Sequence, residues 1–335
     1  MRYIPALDGL RAVAVVLVVA HHCLVPWFLG GYVGVDVFFV LSGYLITSIL
    51  IRDQGPAGNL RLGNFYARRL LRLYPALVLF LVTYLVIAPK IWPDTPHIRD
   101  ALFAGLYVSD YTYAFTKTPK YLGHTWSLSV EEQFYLTWPL CLAWAVQRYQ
   151  LEAIRKGLML AVVIAIVWRT HNAVVMTSSA YFRFDTRLPG LLAGCWLAIY
   201  LKTEAGAVRP LLEKHLAWIG LVGVIAVATI PNHRNTSSML MLSIPVAEAC
   251  TMAMLYGARA LPLSHRALVR VGKLSYGIYL WHYPMALLLR NNLPWQLTTP
   301  IVFILSAGAA WISYSTVEAS ARRIKERRYK ARLPR

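Results

Sequence analysis

Runs of about 17–25 predominantly apolar residues recur from one end of this sequence to the other, the length a helix needs to cross a hydrocarbon core. Lipid offers no water to backbone N–H and C=O groups, so only helices and closed barrels span it. Unbroken apolar runs of this length specify helices. The chain has 335 residues, 58% of them hydrophobic, and a mean hydropathy of +0.49, which leaves no room for a second soluble domain. The expected architecture is an all-α polytopic integral membrane protein. Candidate spans fall at 10–29, 33–51, 73–89, 126–146, 157–172, 187–201, 216–231, 238–257, 272–290 and 298–317, ten in all.

A net charge of +19 would point to nucleic acid in a soluble protein. Here the basic residues lie between apolar segments and in the tail, where they orient the chain in the membrane. Membrane lipids are therefore expected as partners, and nucleic acid is not. With ten spans and both termini cytoplasmic, 25 of the 34 Lys and Arg residues fall on the inner side. A weaker segment at 99–115 contains Asp100, Ser109 and Asp110. Counting it as a span would place the tail cations Arg322, Arg323, Lys325, Arg327 and Arg328 outside, against the positive-inside rule. Residues 90–125 are therefore read as an extracytoplasmic excursion, partly re-entrant where protein or water covers the backbone. One transmembrane domain is expected over 1–320 and a basic cytoplasmic tail over 321–335. Arg2, Asp8 and Arg11 precede or open the first run, which a second run closely follows, so it reads as an uncleaved span. Cys23, Cys141, Cys195 and Cys250 fall in or beside apolar runs without a C-x-x-C pair, so neither a metal site nor a disulfide framework is expected.

Titratable groups inside apolar helices are costly, and each marks a candidate functional site. His22 lies eleven residues after Arg11, about 16 Å up one face of the first helix. His21 points about 100° away. Asp36 opens the second span, behind Gly31 and Gly34, two glycines that allow close helix approach. That places Asp36 within reach of His22, whose tautomer it would fix. Arg68, Arg69 and Arg72 form one cationic face of a short helix before the third span, and guanidinium forks suit phosphate oxygens. Glu131 and Glu132 enter the next span just after Trp126, Ser127 and Ser129. Arg183, Asp185 and Arg187 stand across from them as candidate partners. Tyr279 and His282, three residues apart, share a helix face. Glu248 is a further buried carboxylate with no role legible in the sequence.

Taken together, these stretches resemble the membrane-bound acyltransferase 3 family. The matching residues run in order: Ile4 to Arg11 with His22; Gly34, Asp36 and Phe38 to Gly43; Tyr66 to Pro75; Trp126 to Tyr135; and Ser275 to His282. The resemblance implies ten spans with cytoplasmic termini in the bacterial inner membrane. It implies transfer of an acyl group, acetyl foremost, from cytoplasmic acyl-CoA to a hydroxyl of an extracytoplasmic glycan such as O-antigen, exopolysaccharide or another surface saccharide. Acyl-CoA (acetyl-CoA) is then a cosubstrate, with no permanently bound cofactor. The family's essential arginine and histidine map to Arg11 and His22, and its arginine pair to Arg69 and Arg72. Some members append an extracytoplasmic hydrolase-like domain. This sequence stops soon after its last span, so transfer is expected to rest on the membrane domain.

A hydroxyl is a poor nucleophile until a base takes its proton. His22 is the expected base with Asp36 as its orienter, and a covalent acyl-imidazole stays open beside it. Arg11 would sit beside the donor at the inner mouth or stabilise charge developing at the carbonyl. Arg68, Arg69 and Arg72 would hold the donor's phosphates. Glu131 is placed with the catalytic group. It is also expected at the acceptor-facing mouth, and Trp126, Ser127, Arg187, Tyr279 and His282 are expected on the acceptor side or lining the pore. The alternatives are a small-molecule or lipid acceptor, or a transporter or flippase of an envelope precursor. A transporter would usually show repeated halves with broken helices, and no repeat is seen.

Overall fold

The computed structural model describes residues 3–54, 59–176, 178–204, 210–230 and 236–321. The tail expected at 321–335 lies outside the described residues from 322 onward. Long helices stand at all ten expected places. They are α1 (Pro5–His22), α2 (Gly34–Arg52), α3 (Leu62–Ile91), α6 (Thr125–Val146), α7 (Leu151–Val175), α8 (Phe184–Thr203), α9 (Pro210–Thr229), α12 (Arg266–Leu289) and α13 (Trp295–Ser315). The remaining one opens with α10 (Thr236–Ser238), passes through a π-helical turn at Met239–Ser243, and continues as α11 (Ile244–Tyr256). Seven of these are long and apolar enough to cross a membrane. The three less apolar ones, α6, α8 and α12, carry Glu131 and Glu132, Arg187, and Lys273 with His282. Their polarity has a local cause: α6 and α12 line the cavity described below, and Arg187 of α8 pairs with Asp36 inside the bundle.

The main difference from the expected boundaries is at α3. The basic loop before the third span is not a separate helix. Arg68, Arg69 and Arg72 sit in the first three turns of a 30-residue helix that runs on through Pro75. At the start of α1, Pro5 occupies the first turn, where its missing N–H costs nothing.

The segment 99–115 does not form one membrane-length helix. It folds as α4 (His97–Gly105) and α5 (Ser109–Thr116), of 9 and 8 residues. Each rises only about 12–14 Å. The tip between them meets α6 well below its start, because Gln133 donates to the Tyr107 carbonyl (3.1 Å) and to Asp110 (3.0 Å). Gln133 lies eight residues into α6, about 12 Å along it. Ser129 receives the Ser109 N–H (3.0 Å), and Tyr84 of α3 meets His97 (2.8 Å). The hairpin is thus sewn into a notch between α3 and α6, while Ile98, Leu102, Leu106 and Phe115 remain exposed on its outer side. Its inner backbone is thus covered by protein, the condition that short helices would need at membrane depth.

α1 and α2 are the most enclosed of the seven apolar helices. α2 packs on α8, α1 on α12, α12 on α13, α9 on α11 and α7 on α8. The α2–α8 crossing depends on two glycines. A Cβ at Gly43 would strike the Leu191 carbonyl oxygen, and one at Gly194 the Val40 carbonyl oxygen. Small residues of this kind let membrane helices come close enough for dispersion contacts to hold them. Deeper in the bundle, Glu248 of α11 finds its partner in Arg169 of α7 through two hydrogen bonds of 2.8 and 3.0 Å. Both side chains are buried, and the fork satisfies each carboxylate oxygen.

Gly194→Ala should lower stability by about 1–3 kcal/mol, the usual cost of overpacking. Gly157 in α7 has open space where its Cβ would stand. Gly157→Ala should therefore be neutral or gain up to about 1 kcal/mol of helix propensity. Thermal unfolding in detergent separates the two, and an unchanged melting temperature for Gly194→Ala would contradict the crossing.

Candidate functional site

A cavity of about 480 Å³ lies among α1, α2, α3, α6 and α12. Its two ends differ in chemistry. Arg11, Arg68, Arg69, Arg72 and Lys273 line one end, and Arg72 and Lys273 are exposed there. Ser127 and Tyr279, both buried, line the other with Phe38. The cavity therefore opens at the cations and closes at a pair of hydroxyls. Along α2 its wall runs from Ile49 to Val35, fourteen residues and about 21 Å.

The cations are not equally committed. Arg11 is held by Asp8 one turn below it (3.0 Å), and Asp8 also accepts from the Tyr3 hydroxyl (2.6 Å). Arg68 donates to Asp53 in the loop after α2 (2.7 Å). Burial pushes the Asp53 carboxyl up, but hydrogen bonds from Arg52 and Arg68 outweigh it and hold the group below the ordinary carboxylate range. Arg69 lies 3.5 Å above the Tyr135 ring and 3.8 Å from Glu132. Arg72 forms no ion pair among the described residues. Its charge is offered to the cavity. Glu131 points into the same space and accepts from Ser42 (2.6 Å), which in turn accepts from Tyr135 (2.7 Å).

At the closed end the Ser127 and Tyr279 hydroxyls lie 2.5 Å apart. Each also reaches the His124 carbonyl, at 3.2 and 3.1 Å. Behind this pair sits a cluster of imidazoles. His22 and His282 meet nitrogen to nitrogen at 3.1 Å, and the His124 ring stacks on Tyr283 with centroids 4.9 Å apart. Pro284 helps to assemble the cluster. It has no N–H to give the Leu280 carbonyl four residues earlier, and that freed carbonyl accepts from His124 Nε2 at 3.1 Å. His22 itself is half-buried at the last turn of α1, outside the cavity lining. Arg290 donates to its backbone carbonyl at 3.3 Å.

Several expected placements change. Asp36 does not hydrogen-bond His22. It forms an ion pair with Arg187 of α8 at 2.9 Å, both groups being fully buried. The pair's angle falls short of a hydrogen bond, and the guanidinium is instead roofed by Tyr181, Trp126 and Phe39 at 4.7, 5.2 and 5.5 Å. Trp126 and Arg187 therefore sit inside the bundle and do not line an outer mouth. Of the two places expected for Ser127 and Tyr279, the structure gives the pore-lining one, in the wall of the cationic cavity. Arg183 pairs with Asp185 and Asn172 and leaves Glu131 and Glu132 to Ser42 and Arg69. The placement of His21 does not change: it points off the His22 face and donates through Nδ1 to the Leu29 carbonyl (2.7 Å).

Sequence reasoning missed His124, Lys273, Tyr135 and Arg169. Arg169 carried a usable signal, a charge in the middle of an apolar run. Among the described residues no cluster of His, Cys, Asp and Glu is arranged to hold a metal ion.

The sequence pattern described as an acyltransferase domain of the acyltransferase 3 type matches residues 4–318. The chain belongs to the acyltransferase 3 family. It is 32% identical over 357 residues to the O-acetyltransferase OatA of Staphylococcus aureus (strain NCTC 8325 / PS 47), covering 96% of this chain and 58% of that protein. It is 34% identical over 331 residues to the peptidoglycan O-acetyltransferase OatA of Listeria monocytogenes, covering 90% of this chain and 51% of that one. The putative peptidoglycan O-acetyltransferase YrhL of Bacillus subtilis is 34% identical, at 96% and 55% coverage. The chain thus spans about half the length of these relatives. No solved structure matches it.

The Asp36–Arg187 pair yields a stability prediction. Asp36→Ala strands a buried guanidinium and should cost about 3–5 kcal/mol, whereas Asp36→Leu with Arg187→Met should recover most of that loss. Thermal unfolding of both in detergent checks it. A double variant as unstable as the single one would show that packing, not charge, sets the effect.

Proposed function

We propose that this chain is an O-acyltransferase of the bacterial cytoplasmic membrane. It moves an acetyl group from cytoplasmic acyl-CoA to a hydroxyl of an extracytoplasmic cell-wall glycan, peptidoglycan being the acceptor named for its relatives. The observation that carries this reading is the polarity of the cavity, with free and paired cations at its mouth and neutral hydroxyls at its end. A donor with phosphates at one end and a thioester at the other fits that order. Its phosphates lie against Arg68, Arg69 and Arg72, and its thiol arm runs along α2 toward Ser127 and Tyr279. Arg11, at the same mouth, stands beside the donor and adds to the positive charge that faces its phosphates.

On this reading His22 is the general base. It takes the proton of the acceptor hydroxyl as the oxygen attacks the acyl carbon, the C–S bond breaks, and the proton is passed on to the departing thiolate. Ten spans with both termini cytoplasmic place the Arg72 end of the cavity inside and His22, at the far end of α1, near the outer face. The lengths of α6, α8 and α12, at 22, 20 and 24 residues, support counting them with the seven apolar helices. Only the acyl group then crosses.

Arg72→Ala should raise KM for acetyl-CoA about ten- to a hundredfold, the worth of a hydrogen bond to a charged group. The KM for acceptor should stay put, and Arg72→Lys should rescue in part, since a point charge lacks the guanidinium fork. Donor titration in vesicles reads this, and an unchanged donor KM would return Arg72 to a topological role. The orientation has its own test. A cysteine at Lys117 should react with an impermeant thiol reagent outside intact cells, and one at Arg61 only after permeabilisation. The reverse pattern would invert the bundle.

A further inference from the structure

His282 is fully buried and presents its two nitrogens to different partners. Nδ1 lies 2.7 Å from the Tyr279 carbonyl oxygen and 3.2 Å from that of Ile278. Carbonyl oxygens only accept, so Nδ1 carries the hydrogen. In a neutral imidazole the other nitrogen is then a lone pair. That nitrogen, Nε2, faces His22 Nδ1 at 3.1 Å. The contact is a hydrogen bond only when His22 Nδ1 is the donor. The lone pair of His22 is thereby assigned to Nε2, which no described residue hydrogen-bonds.

We infer that His282 is the positioning residue of the site. It holds His22 in the tautomer protonated at Nδ1 and leaves Nε2 as the basic nitrogen for the acceptor hydroxyl. The inference rests on the reading of His22 as the base.

Packing makes this arrangement specific. The His282 ring is wedged between Tyr279 and His124, with centroids at 5.3 and 5.6 Å, so it cannot turn over without displacing them. The groups facing His22 are His21 on its own helix, His282 and Tyr283 on α12, Arg290 just beyond α12, and His124 before α6. None is a carboxylate. The orienting acceptor is therefore a neutral imidazole, where acid–base sites more often use an acid. A neutral acceptor fixes the tautomer while holding a proton on the base less strongly than a carboxylate would, which suits a base that must hand its proton on.

The test is acetyl transfer by purified protein in lipid vesicles, followed against pH, for His282→Leu, His282→Gln and His22→Ala. His282→Leu keeps bulk and loses the acceptor. It should cut kcat about ten- to a hundredfold, part of the range of general-base catalysis, with KM for acetyl-CoA unchanged. Its acidic limb should move to lower pH, because His22 loses an acceptor that stabilises its protonated form. His282→Gln offers an amide oxygen to the same Nδ1–H and should restore a large share of both. A parental kcat and pH profile in His282→Leu would overturn the positioning role. So would a His282→Gln that remains folded yet is no better than His282→Leu. If His22→Ala keeps near-normal transfer, the reading of His22 as base fails instead, so the two failures are distinguishable. Should His282→Leu not accumulate, the pH profile of His282→Gln decides: the parental acidic limb supports the role, and a limb moved to lower pH overturns it.

Discussion

A charge inside an apolar bundle must be met by an opposite charge or by water, and this single constraint sorts the whole molecule. Arg169 and Glu248 meet each other, as do Arg187 and Asp36, and both pairs are closed away between helices. Arg11 and Arg68 are met by Asp8 and Asp53 at the edge of the cavity. Arg72 and Lys273 have no such partner among the described residues and stand exposed at its mouth. The cations left without a carboxylate partner thus stand at the mouth beside the paired Arg68 and Arg69, open to a ligand. The closed pairs tie α7 to α11 and α2 to α8, and α2 in turn presents its other face to the cavity.

The helical layout was legible in the sequence because hydrocarbon enforces it. Apolar length alone located the ten long helices, and the excess of basic residues told against an eleventh at 99–115. The boundaries that moved did so for reasons apolar length does not register. α3 begins at Leu62, well before its apolar run, because the arginine face is helical and continuous with it. The hairpin of α4 and α5 dips to Gln133 because polar side chains on α6, Ser129 and Gln133, receive it.

The site was legible in its residues and not in its pairings. Asp36 looked like the partner of His22 because both stand near the turn between the first two helices. Its actual partner, Arg187, lies 151 positions away in sequence, and that of His22 lies 260 positions away. Such contacts are set by which helices become neighbours, and short motifs do not encode that. His282 was visible as a buried imidazole, but its role depends on two carbonyls of its own helix and on the direction of one hydrogen bond. His124 was overlooked because its anchor is a carbonyl freed by Pro284, a consequence of one residue's missing N–H that no motif advertises.

The central claim is that donor and acceptor approach from opposite sides and only the acyl group crosses between them. Sealed vesicles of defined orientation, with acetyl-labelled acetyl-CoA on the cytoplasmic-face side and peptidoglycan fragments enclosed on the other, test this directly. The account predicts label esterified to the enclosed saccharide while the CoA stays on the side where it was added. Label found inside as intact acetyl-CoA, or esterified only to saccharide on the donor side, would contradict it.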